Sequence, residues 1–131
     1  MNWPLVIAGG ISLAGAATHG IVGDMFLRKV PRDALPPNAL GGPENSRSLV
    51  RVSWHFVTVT FVVSGFALLY VGLNGLTRLA PGVVWFLGLL YTCFALFSVA
   101  AAIKRHRLRF LFTHPAPLGL STIAALIWWG I

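Results

Sequence analysis

The sequence predicts an all-α integral membrane protein: one domain over residues 1–131, built as an antiparallel four-helix bundle with both termini on the outer side. Three observations predict it. The chain is 56% hydrophobic and only 10% charged, against about 25% charged residues in a typical soluble domain. Its apolar residues fall into four runs, about residues 4–27, 51–73, 82–103 and 110–131. Each run matches the roughly 20 helical residues that cross a hydrocarbon core about 30 Å thick. None alternates strictly, so a β-barrel is not expected.

The third observation is where the charges lie. Arg28, Lys29, Arg32, Arg47 and Arg51 fall in or beside the loop 28–50, and Lys104, Arg105, Arg107 and Arg109 follow the third run. Arg78 alone falls in the second loop. In a four-span chain the first and third loops share a side, so the basic excess marks that side as cytoplasmic. Trp3, Tyr70, Trp85, Trp128 and Trp129 then lie near the outer ends of their spans, where amphipathic rings anchor. The expected location is a bacterial inner membrane, with the lipid bilayer as the principal partner. The basic residues are accounted for by topology and anionic lipid. Nucleic acid is not an expected partner, because no basic and aromatic residues interleave on a soluble face.

The first run lacks basic residues ahead of it, so it reads as a retained helix and not as a signal peptide. It is rich in small residues, including Gly9, Ser12, Gly15, Ala16, Gly20 and Gly23, which suit close helix packing in lipid. The loop 28–50 carries Pro31, Pro36, Pro37, Gly41, Gly42 and Pro43, and reads either as a connector or as a segment folded over the bundle mouth. The second run opens with Arg51, and Arg51, His55 and Thr58 share a helical stripe at i, i+4 and i+7. The third run reads as packing, with Thr92, Cys93 and Ser98 as its modest polar groups. Cys93 is the only cysteine, so no intramolecular disulfide is possible and Cys93 reads as a packing residue. The fourth run opens with Pro115 and Pro117, which suit a helix start, and places His114 just ahead of it.

The candidate site gathers at the cytoplasmic end. An antiparallel hairpin of the first two runs brings His19 and His55 to similar depth. His114 reaches the same face, while His106 reads as an exposed residue of a basic turn. Asp24, five residues past His19, lies about 140° around an α-helix from it, and is placed to pair with Arg28 at i+4 or with Arg51 across the hairpin. Ionisable groups inside spans are costly and point to function.

Several readings stand side by side. In one, these groups only hydrogen-bond each other and fix the hairpin. In another, His19, His55 and His114 ligate a divalent transition metal, with Asp24, Arg51, Trp54 and Thr58 lining a ligand site. Imidazole and carboxylate suit such a metal, and three ligands with an open position allow water activation. A third has His19 and His55 as axial ligands of haem b, with Gly15, Gly20 and Gly23 making room. A fourth makes the chain a non-catalytic accessory or scaffold subunit, with other membrane subunits or copies of itself as partners. A transporter is disfavoured, because no acid lies deep in a span as a coupling group.

The segments His19-Gly20-Ile21-Val22-Gly23-Asp24 and Arg51-Val52-Ser53-Trp54-His55 resemble a group of small four-span bacterial inner-membrane proteins. Their pattern reads H-S-x-x-G-E, a polar loop, then R-x-x-W-H. Here Gly20 stands for the serine and Asp24 for the glutamate. The resemblance covers about the first 70 residues. It implies a four-span fold and a site at these positions, and brings no activity with it.

Overall fold

The structure is a computed structural model, and it describes residues 1–31, 42–75, 80–106 and 115–131. Every regular element among them is helical. Helix α1 runs Trp3–Ala17, continues as a π-helical segment over Thr18–Gly23, and resumes as α2 over Asp24–Lys29. Helix α3 is Pro43–Asn74, α4 is Ala80–His106 and α5 is Pro115–Trp129.

Among the described residues, three stretches are long and apolar enough to cross a membrane: Trp3–Lys29, Pro43–Asn74 and Pro81–Lys104. The chain is accordingly a membrane protein with transmembrane helices. Large apolar side chains such as Phe56, Val63, Phe66, Phe86 and Phe97 lie on its surface, as a lipid environment requires. The described helix of the fourth apolar run has 15 residues, about 22 Å at 1.5 Å per residue, and residues 110–114 of the expected 110–131 span lie outside the described residues.

The second span also starts earlier than expected. Gly42 takes a φ of 111°, which favours glycine, and its carbonyl accepts the Ser46 N–H at 3.0 Å. Pro43 then occupies the first helical position, where a missing N–H costs nothing. The helix therefore begins at Pro43, well ahead of the apolar run at Arg51. At its far end Gly75, with φ 84°, returns its N–H to the Val71 carbonyl and stops the helix.

The chain forms two compact units, Met1–Ser12 with Ser64–Ile131, and Leu13–Val63. In the first, Asn2 caps α1 by accepting the Leu5 N–H on its side chain, donates to the Gly130 carbonyl, and gives its backbone N–H to Gly72. Gly9 lies against the Gly65 carbonyl and Leu69. Contacts that descend along α3 while climbing α1 make the two helices antiparallel here. Leu5, Leu68, Val84, Tyr91 and Ile127 are fully buried. Helix α4 packs on α5, with Trp128 over Gly88 and its indole N–H on the Thr92 hydroxyl at 2.9 Å.

A cluster of three hydroxyls lies inside this unit. Tyr91 is hydrogen-bonded to Ser12 and, at 2.6 Å, to Ser64, and the two serines are 3.4 Å apart. Buried hydroxyls in an apolar layer need partners, and these three supply one another, joining α1, α3 and α4. In the second unit, the end of α1, the π segment and α2 face the first half of α3. Gly15 faces Phe61, Gly20 faces Thr58 and Gly23 faces Trp54, again an antiparallel run of contacts.

Candidate functional site

Of the residues singled out in the sequence, His19, Asp24, Arg51, Trp54, His55 and Thr58 lie within the second unit. Local sequence explains how. Gly20 and Gly23 leave the π segment without side chains on the face turned to α3. A Cβ on Gly20 would come 2.9 Å from Thr58 Cγ2, and one on Gly23 would come 2.6 Å from the Trp54 indole nitrogen. The Trp54 side chain can therefore lie directly on the backbone. Its N–H donates to the His19 carbonyl at 2.8 Å, and its ring stacks on the His19 imidazole, 3.9 Å between centroids and 7° from parallel. Phe61 meets the same imidazole edge-on.

Thr58 completes the hold on His19. Its hydroxyl donates to the Trp54 carbonyl at 3.3 Å and lies 3.0 Å from His19 Nδ1. A hydroxyl has one proton to give. With that proton on Trp54, Nδ1–H is the donor to Thr58.

Asp24 opens α2 and is buried. Its Oδ2 accepts from Arg28 Nε at 2.7 Å, one turn along the same helix. Its Oδ1 accepts from Arg51 Nε at 3.0 Å, with Arg51 Nη2 also at 3.0 Å. Both carboxylate oxygens are thus engaged by guanidinium groups, one from each side of the hairpin. Charge-assisted bonds of this kind are the strong ones. Arg47 adds a bond from Nη2 to the Arg28 carbonyl at 2.8 Å.

The expected site residues divide accordingly. His19, Trp54 and Thr58 form one interlocked group, and Asp24, Arg51 and Arg28 form another. His55 stands at the edge of the second, its Nε2 3.6 Å from Asp24 Oδ1 and its side chain half exposed. That is an ion-pair distance, beyond a hydrogen bond. His114 lies outside the described residues, as do residues 32–41 of the loop. Among the described residues, no three His, Cys, Asp or Glu side chains gather closely enough to hold a metal ion. The glycines expected to admit a haem are covered: Gly15 by Phe61, Gly20 by Thr58 and Gly23 by Trp54. The residues do not fit a macrocycle on that face.

No protein-family model, curated protein or solved structure matches the chain. Two histidines stand in different situations. His19 is oriented by a stacked indole and a threonine, as ligating histidines are by their outer partners. His55 is oriented only by a distant carboxylate. Arginine charge exceeds carboxylate charge at this end, which suits an anion better than a cation.

Sequence reasoning missed two features. The first is the π segment, which carries His19 and Gly23; no residue pattern in the sequence marks it. The second is Tyr91, lost inside an apolar run. A mid-span tyrosine hydroxyl needs a partner, and Ser12 and Ser64 were the visible polar groups able to supply one.

Proposed function

We propose that this chain is a small, non-catalytic membrane subunit, whose His/Asp/Arg cluster fixes the α2–α3 hairpin in place so that the rest of the chain can serve a larger assembly. One observation carries this reading: both Asp24 oxygens are taken by Arg28 and Arg51. A carboxylate so engaged is poorly placed to act as a metal ligand or general base. In this reading the chain associates with other subunits or with a second copy, inside a four-span bundle in a bacterial inner membrane. The nine-to-one bias of basic residues between alternate loops supports a cytoplasmic location for the cluster.

The test is purification of the full chain in mild detergent from its native membrane, followed by elemental analysis, an absorption spectrum and protein identification. The subunit reading expects substoichiometric metal, no Soret band and a stoichiometric partner or homo-oligomer. One metal per chain in a monodisperse monomer overturns it. A reporter placed in the loop 28–50 tests the topology, which fails if the reporter is found outside the cytoplasm.

A second reading rests on His19. Its Nδ1 bond to Thr58 and its indole stack leave Nε2 as an oriented donor atom. In that reading Nε2 joins His55 and His114 around a divalent transition metal, with Arg51 and Asp24 as supporting groups. Equal metal content in the wild type, His19→Ala and His55→Ala would remove it.

A further inference from the structure

Two concavities flank the same pair of arginines on α3. One, of about 400 Å³, is lined by Glu44, Arg47, Ser48, Arg51, Val52 and His55, with Pro43 at its end. The other, of about 120 Å³, is lined by Leu27, Val30 and Val50 with Arg47 and Arg51. The first presents cationic, hydroxyl and imidazole groups. The second presents aliphatic side chains and the stems of the arginines. We infer that Arg47 and Arg51 hold the phosphodiester of an anionic membrane lipid, headgroup toward Ser48 and His55 and acyl chain along Leu27, Val30 and Val50.

The charge count at this end favours an anion. Among the described residues here, Arg28, Lys29, Arg47 and Arg51 face two carboxylates, Asp24 and Glu44. Asp24 is bonded to Arg28 as well as Arg51, so Arg51 carries charge beyond what Asp24 balances. Glu44 lies at the rim of the groove and offsets part of the remainder. Both arginines are also held in place. Arg51 commits Nε and one Nη2 proton to Asp24, and Arg47 commits one Nη2 proton to the Arg28 carbonyl. A guanidinium has five N–H donors, so each retains others that a phosphate can use without breaking the hairpin. Preorganised arginines suit phosphate oxygens. Basic pockets beside membrane helices are sites for anionic headgroups.

The lipid, and not a free anion, is assigned because of the second concavity. An inorganic phosphate has no use for Leu27, Val30 and Val50, whereas an acyl chain does. Arg47 and Arg51 line both concavities, and the phosphate of a lipid joins its polar and apolar parts.

The experiment is native mass spectrometry of the full chain released from detergent, with phosphatidylglycerol, phosphatidylcholine or inorganic phosphate added. One phosphatidylglycerol per chain is expected to survive release, with phosphatidylcholine retained at least about fivefold less and millimolar phosphate failing to displace the lipid. Arg47→Gln is expected to lower phosphatidylglycerol retention about fivefold, the worth of one basic residue at an anionic surface. Because Arg47 also ties the hairpin, Ser48→Asp provides the independent variant. Ser48 is exposed, and an added carboxylate there repels the phosphate without removing any group that Asp24, Arg28 or Arg51 bonds. Equal retention of the two lipids, or wild-type phosphatidylglycerol retention in both variants, overturns the proposal. Displacement by inorganic phosphate overturns it in favour of a free-anion site.

Discussion

The indole of Trp54 lies flat on the imidazole of His19 while its N–H bonds the His19 carbonyl at 2.8 Å. One side chain of α3 thus grips both the ring and the backbone of a residue in the π segment. The contact depends on Gly23, whose missing side chain leaves the indole its place. The segment that receives the indole is π-helical. A π turn closes i→i+5 bonds, so it is wider than an α turn. Residues five apart then come closer to one face, and both His19 and Asp24 reach α3.

Gly23→Ala tests this grip. The new methyl would occupy the space of the indole, and Trp54 cannot withdraw without giving up its hydrogen bond and its stack. Overpacking of this sort costs about 1–3 kcal/mol. The expected outcome is a lower unfolding midpoint in detergent, with a change in tryptophan emission as Trp54 is displaced. An unchanged midpoint and spectrum would mean the indole is not seated on the backbone.

Asp24→Asn probes the second group. The amide keeps the shape but loses the charge, leaving Arg28 and Arg51 facing each other across a neutral residue. Hydrogen bonds to charged groups contribute about 1.5–3 kcal/mol, reduced here because both guanidinium groups are substantially exposed. A loss of about 1–2 kcal/mol is expected in equilibrium unfolding. Adding Arg51→Gln to Asp24→Asn should cost less than the two single losses together, since the pair is coupled. Strict additivity would argue that Arg51 and Asp24 do not interact in the folded chain.

Much of this was legible from residue types alone. Low charge and long apolar runs announce helices in lipid, because a bilayer leaves the backbone few other options. Helical spacing placed Arg51, His55 and Thr58 on one stripe, and it named Arg28 and Arg51 as the partners of Asp24. Other features depend on how two helices seat against each other. No spacing rule says that Trp54 will choose the His19 ring, since that choice follows from the gaps at Gly20 and Gly23. The start of α3 at Pro43 was hidden because a proline and glycine cluster reads equally as a loop and as a helix start. Tyr91 was hidden because its ring is apolar and only its hydroxyl carries the signal.

Tyr91→Phe removes the hub of the buried hydroxyl cluster with almost no change in volume. Two hydrogen bonds are lost, to Ser12 and to Ser64. Interhelical hydrogen bonds in membrane proteins average about 0.6 kcal/mol, so a destabilisation of about 1 kcal/mol is expected. Ser12→Ala in the Tyr91→Phe background should cost little more, because the serine has already lost its tyrosine partner. Steric trapping or denaturant titration in detergent resolves differences of this size. A double variant as costly as the two single changes combined would mean that Ser12 and Tyr91 act independently.

Gly9 and Gly10, adjacent in α1, stand in different surroundings. A Cβ on Gly9 would lie 2.8 Å from the Gly65 carbonyl oxygen and 2.9 Å from the Leu69 nitrogen, while one on Gly10 meets nothing within 4 Å. Two of the three nearest neighbours of the Gly9 Cβ are backbone atoms of α3, which cannot swing aside as the third, Leu69 Cγ, could. Gly9→Ala must therefore push two helices apart, and small-residue seams are what hold such helices together in lipid. A cost of about 1–3 kcal/mol is expected. Gly10→Ala has open space and replaces a poor helix former by a good one, so its expected effect is neutral or stabilising by up to about 1 kcal/mol. Both variants add the same methyl group to the same helix, so only the seating of α1 on α3 separates them. Thermal unfolding of the two in one detergent measures the difference. Equal midpoints would mean that Gly9 does not face the α3 backbone.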